Sequence, residues 1–135
     1  MPPPLPLHRT PWGNWRVLAR GNGFQVKRLE VSQRQRFSLQ FHHRRSEHWV
    51  VVAGTGRVVL GTRTLRAWPG RALFIPKRAT HRLQNVGSTP LVVIEVQRGD
   101  YLGEDDIVRL ADDHARSCKP SKPPGRLTGR TRRRP

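Results

Sequence analysis

The chain has 135 residues, a formal net charge of +17 and a pI near 11.9, which suits one domain of roughly 100 residues with loose ends and excludes two. Its single cysteine, Cys118, excludes an internal disulfide framework and a cysteine-ligated metal cluster. The charge would point to nucleic acid or an anionic surface, yet eight Lys or Arg residues and no acid fall in 116–135, so almost half of the excess sits in a tail. No aromatic residue accompanies that run to stack on bases, and nucleic acid is not the expected partner.

In chain order, the opening MPPPLPLHRT lacks the continuous apolar stretch of a signal peptide, and no run approaches the ~20 apolar residues of a membrane span. The expectation is a soluble cytoplasmic protein that does not associate with membranes. The prolines predict an extended arm over 1–10, because proline lacks a backbone donor and resists helix. A domain over 11–116 follows. Between Phe24 and Gln97, short runs of β-branched and aromatic residues are broken at close intervals by Gly, Pro and Asn.

Predicted strands are Gln25 to Val31, Arg36 to His42, Glu47 to Ala53, Gly56 to Gly61, Arg63 to Trp68, Ala72 to Ile75, His81 to Asn85 and Leu91 to Gln97. That spacing is all-β, a sandwich or a barrel. Gly54-Thr55 and Gly61-Thr62 read as tight links, suggesting a meander. Glu104 to Ala115 has acids first and basic residues later, a charge pattern that predicts a short helix outside the barrel. The stretch 117–135 is too poor in apolar residues to offset the entropy of ordering and is expected to be disordered.

The chemistry concentrates in LQFHHRRSEHWVVVAG. On an extended strand alternate residues share a face, so Gln40 and His42 point one way and Phe41 the other. Glu47 opens the next strand, and its face continues through Trp49 and Val51. If those apolar residues face the interior, a carboxylate is buried with them and needs a cation. In GRALFIPKRATHRLQN a Pro-containing turn delivers His81 to the start of another strand. Gln40, His42, Glu47 and His81 together make a nitrogen and oxygen donor set for one divalent ion such as Zn, Co, Mg or Mn. Parity turns His43 and His48 away from this set, and His8 and His114 lie near the ends.

These two segments resemble the two cupin motifs. Glu47 is followed by six residues and Gly54; Gly70 is followed by five residues and Pro76, then His81 and Asn85. Gln40 and His42 stand where the first motif has paired histidines, the variant found in phosphomannose isomerases. From Arg9 to Arg116 the chain resembles the C-terminal cupin domain of type II phosphomannose isomerases, usually fused to a mannose-1-phosphate guanylyltransferase. The segments that carry this are Pro11-Trp12-Gly13, VKRL, SLQFHHRRSEHWVVVAGT, IPKRATHRLQN and IEVQRGDYLGEDDIVRLADD.

The resemblance implies a cupin fold, a double-stranded β-helix or jelly-roll barrel. It also implies a metal-dependent aldose–ketose isomerase interconverting mannose 6-phosphate and fructose 6-phosphate, in mannose, GDP-mannose and polysaccharide precursor metabolism. Proton transfer through an enediol needs an electrophile, an acid–base group and a phosphate holder. The metal is the expected electrophile. Arg45 is expected to hold phosphate or stabilise the enediolate, with Lys77 and Arg82 as further catalytic candidates. The family's three consecutive histidines are here His42-His43-Arg44, and strand parity would bring Arg44 to the metal face as a second substrate-binding cation. No Gly-rich nucleotide-binding loop precedes the motifs, so guanylyl transfer is not expected. The alternative is a non-catalytic metal-binding cupin that binds a sugar phosphate or partners a separate guanylyltransferase. A homodimer through strand edges is a further expectation.

Overall fold

Strict alternation of side chains turns the middle of the chain into sheet. In the nine-residue strand Arg45–Ala53, Arg45, Glu47, Trp49 and Val51 are buried while His48, Val50 and Val52 are exposed, the period-two pattern of a strand with one covered face. The computed structural model describes residues 5–114. Among these residues it has eleven strands and no helix. They are β1 (Leu7–Thr10), β2 (Gly13–Gly21), β3 (Phe24–Val31), β4 (Leu39–Phe41), β5 (Arg45–Ala53), β6 (Gly56–Leu60), β7 (Arg63–Ala67), β8 (Ala72–Ile75), β9 (His81–Asn85), β10 (Leu91–Gly99) and β11 (Val108–Ala111).

Two antiparallel sheets form, one in the order β1-β2-β3-β10-β5-β8 and the other in the order β11-β4-β9-β6-β7. Their inner faces pack through Val31, Trp49, Val51, Val58, Ile75 and Leu83, all fully buried. The eight strands expected from the sequence are β3 to β10, with β4 shorter than expected: Arg36 makes only an isolated bridge to Gln84.

Three expectations are corrected here and one holds. The strands are not a meander, since β10 sits between β3 and β5 and the chain changes sheet between β5 and β6. Gly61-Thr62 is a true two-residue hairpin, Leu60 facing Arg63 across it. Gly54-Thr55 is instead the crossover point, where Gly54 has φ +86° and lies against Pro90. The helix expected over Glu104 to Ala115 is absent, and Val108–Ala111 forms β11 against β4.

The acids that suggested a helix start are taken by tertiary partners. Asp106 accepts from the backbone N–H groups of His43 and Arg44, and Glu104 pairs with Lys27. The Pro-rich arm is shorter than expected, because Leu7–Thr10 pairs with Gly13–Arg16 of β2, and β2 in turn pairs along β3. The disorder expected over 117–135 lies outside the described residues. No helix among the described residues is long and apolar enough to cross a membrane.

The two links make different demands. Alanine at Gly61 meets nothing within 4 Å and bears only the left-handed backbone, so Gly61→Ala should cost about 1 kcal/mol. Alanine at Gly54 would add a Cβ 2.5 Å from the Pro90 carbonyl oxygen, so Gly54→Ala should cost about 3 kcal/mol. Urea denaturation midpoints of the two variants compare them directly.

Candidate metal centre and its pocket

Register brings the donors together from both sheets. Gln40 on β4 lies opposite His81 on β9, and Glu47 on β5 lies between Gln97 on β10 and Ile75 on β8. His42 follows β4 directly. The donor atoms of His42, Glu47 and His81 all lie within 4.8 Å of one another, and all three side chains are buried.

Both imidazoles are oriented from behind. Nδ1 of His42 is 2.7 Å from the Asp106 carbonyl oxygen, and Nδ1 of His81 is 2.9 Å from that of Ala79. A carbonyl only accepts, so each Nδ1 carries the hydrogen and each Nε2 presents its lone pair. Burial lowers both histidine pKa values against the pull of Glu47, that of His42 to about 4, so both rings are neutral at pH 7. His81 Nε2 is buried without a hydrogen-bond partner. An orphaned lone pair beside a carboxylate and a second imidazole fits a divalent ion bound by nitrogen and oxygen.

Burial would push the Glu47 carboxyl up, but Arg45, then His81 and His42 when acid protonates them, and the Trp49 indole N–H reverse this and hold it well below the usual carboxylate range. Oε1 accepts from Trp49 Nε1 at 2.9 Å and Oε2 from Arg45 Nε at 2.8 Å. Gln40 stands beside the cluster with its amide nitrogen 3.4 Å from His42 Nε2, its oxygen accepting from Ser38 at 2.6 Å.

The sequence-predicted cations separate. Arg45 is buried and lines the pocket in front of the cluster, as do Gln40, His42 and Glu47. Arg44 does not. Strand β4 ends at Phe41, so parity does not carry on to residue 44; its side chain is 53% exposed, paired with Asp100 and stacked on Tyr101. Lys77 is exposed in the turn before β9. Arg82 alternates with His81 along β9, and its guanidinium donates to the carbonyl oxygens of Phe37 and Ala111, which ties β9 to the segment before β4 and to β11. Neither Lys77 nor Arg82 lines the pocket.

Sequence reasoning passed over four further residues of the pocket. Trp12, Trp15, Lys27 and Glu95 also line the pocket. Lys27 is buried, 4.0 Å over the Trp15 ring, and pairs with Glu104 at 2.7 Å. Burial and the nearby Glu47 charge raise the Glu95 pKa to about 8, against the pull of Lys27, Arg45 and Gln97. Gln25 donates to Gln97 at 2.6 Å, and Gln97 donates to Glu95 at 2.6 Å, so the carboxyl is held by a buried relay. The alternation LVVIEVQ was the available signal, since it puts Glu95 and Gln97 on the face of Leu91 and Val93.

Two twisted antiparallel sheets closed around a His–Glu–His cluster define a cupin. Solved structures agree on the fold: capsular polysaccharide assembling protein CapF from Staphylococcus aureus superposes with TM-score 0.70 at 19% identity over 82% of this chain and 32% of its own. A cupin-2 domain from Rhodospirillum rubrum gives 0.60 at 19% over 69% and 67%.

The chain belongs to the family described as Mannose-6-phosphate isomerase C-terminal, which matches residues 6–112. It is 46% identical to the alginate biosynthesis protein AlgA of Pseudomonas aeruginosa over 82% of this chain, and 49% identical to the xanthan biosynthesis protein XanB of Xanthomonas campestris over 79%. A mannose-1-phosphate guanylyltransferase of Klebsiella pneumoniae is 44% identical over 78%. The chain spans only 23%, 23% and 22% of those three proteins. This corrects the functional expectation: neither a self-sufficient isomerase nor a stand-alone binding cupin follows, because the relatives carry this domain as about a quarter of a longer chain.

Two outcomes test the site. The folded pKa of Glu95 lies above its unfolded value of 4.5, so folded protein holds an extra proton between about pH 4.5 and 8 and loses stability as pH rises through that window. In metal-stripped protein, Glu95→Gln should flatten the fall in melting temperature from pH 5 to 8 and raise stability at pH 8. Arg44→His should leave metal content unchanged by elemental analysis, because residue 44 faces solvent.

Proposed function

We propose that this chain is the metal-holding, isomerase-type module of a longer mannose-phosphate enzyme of polysaccharide precursor synthesis, and that its chemistry is completed by the rest of such a protein. The orphaned Nε2 of His81, turned toward Glu47 and His42, carries this reading. His42, Glu47 and His81 would hold one divalent ion, with Gln40 adjacent. When bound, such an ion polarises carbonyl and hydroxyl oxygens of a sugar.

The chain's own residues offer further groups beside that ion. Trp12 and Trp15 make one side of the pocket apolar, Trp15 being stacked on His8 with Lys27 over its ring. Lys27 and Arg45 bring positive charge to a site fit for a phosphate group. Glu95, raised to about 8, is poised near neutral pH to take a proton from a carbon next to a carbonyl and return it to the neighbouring carbon. Leu29 and Phe37, both buried, add apolar lining to the pocket.

Elemental analysis of the purified chain loaded with zinc or cobalt should find one ion per chain, reduced to near zero in His81→Ala. The chemistry is read in a fusion to the remaining three-quarters of XanB. That protein should exchange solvent deuterium into carbon 2 of mannose 6-phosphate, with exchange falling at least about 100-fold in Glu95→Gln. Full exchange in the metal-free His81→Ala fusion would defeat the reading.

A further inference from the structure

Arg45 occupies the ligand atoms themselves. Its Nε donates to Glu47 Oε2 at 2.8 Å, and its Nη2 donates to His42 Nε2 at 3.2 Å. Those two acceptors lie 3.4 Å apart, so a single guanidinium spans two of the three converging donors. A carboxylate oxygen has lone pairs to share, but a neutral imidazole Nε2 has one. An ion bound through His42 Nε2 therefore cannot coexist with the Arg45–His42 hydrogen bond. The guanidinium does not solve the conflict by losing its proton, since arginine stays charged.

The released group has a place to go. Arg45 lies on the pocket wall, where Glu95 and Glu104 also stand. Those two carboxyl groups both favour its charge. Glu104, and Glu95 once ionised, would draw a guanidinium displaced by a dication toward the cavity.

We infer that Arg45 and a divalent metal are alternative cations for the His42–Glu47 pair, and that metal uptake releases Arg45 into the pocket to hold the anionic group of a ligand. Metal and anion then bind with positive linkage, each tightening the other. The inference rests on the metal reading above and adds an order to it. In metal-free protein Arg45 neutralises the buried carboxylate, and the anion site is incomplete until the ion arrives.

Cobalt(II) titration at pH 7.5, followed by visible absorption, tests the exchange on the intact chain. Arg45→Gln should bind cobalt about ten-fold tighter or more than wild type, the size expected for removing a competing charge-assisted hydrogen bond. Equal or weaker binding overturns the exchange and makes Arg45 a support of the bound state. A readout free of any folding defect comes from the wild type. The Nε–H signal of Arg45 in nitrogen-15 spectra should shift and exchange faster with solvent when zinc is added, and an unchanged signal overturns the inference.

Calorimetry with mannose 6-phosphate reads the second half. Zinc should raise its affinity in wild type, and most of that gain should vanish in Arg45→Gln; an equal gain in the variant assigns the linkage to the ion alone and overturns the release. Failure of wild type to take up cobalt sinks the metal reading itself, whereas uptake with no change in Arg45→Gln sinks only the exchange.

Discussion

A carboxylate sealed inside a small barrel governs this structure. Glu47 is 2% exposed and sits on the face of β5 that continues into the apolar core through Trp49 and Val51. An unpaired charge there would cost several kcal/mol. Every group around it answers that demand: the Trp49 indole and Arg45 take its two oxygens, and two neutral imidazoles turn their lone pairs to the same point. The partners of those imidazoles are backbone carbonyls of Asp106 and Ala79, so a segment distant in sequence orients His42 and the turn just before β9 orients His81.

Topology makes this possible without a large protein. β5 belongs to the six-stranded sheet, and β4 and β9 to the five-stranded one. Glu47 and the histidines therefore meet across the interior from different layers. The crossover at Gly54 is part of the same arrangement: it sends the chain from β5 into the opposite sheet where the backbone passes so close to Pro90 that a side chain has no room. Lower in the barrel the inner faces are apolar; near the cluster they become Gln25, Lys27, Glu95 and Gln97. One end of the sandwich is core and the other is a polar pocket, separated by a change of residue type along the same strands.

The segment after β10 shows how tertiary partners override local preference. Its acids and later basic residues suit a helix taken alone. In the fold, Asp106 accepts from two backbone N–H groups of the turn that follows β4, Asp113 pairs with Arg36, and Val108–Ala111 completes the edge of the five-stranded sheet. Those bonds stabilise an extended path and also hold the turn that carries His42. Arg44 illustrates the converse error. Parity applies only while a strand continues, and β4 stops at Phe41, so the residue that seemed placed to disturb the metal pairs with Asp100 at the surface.

What the sequence by itself determined was the periodic part of the protein: eight strands, and the inward direction of Gln40, Glu47 and His81, because alternation along a strand needs no knowledge of neighbours. The cupin fold came from the resemblance of its two motifs to those of a known family. Only the tertiary structure decided which inward groups share a cavity. Glu95 and Lys27 entered the site because β10 lies between β3 and β5, while Arg82 and Lys77 left it because one alternates outward and the other ends in an exposed turn. Strand pairing between distant segments sets those distances, and no local pattern encodes it.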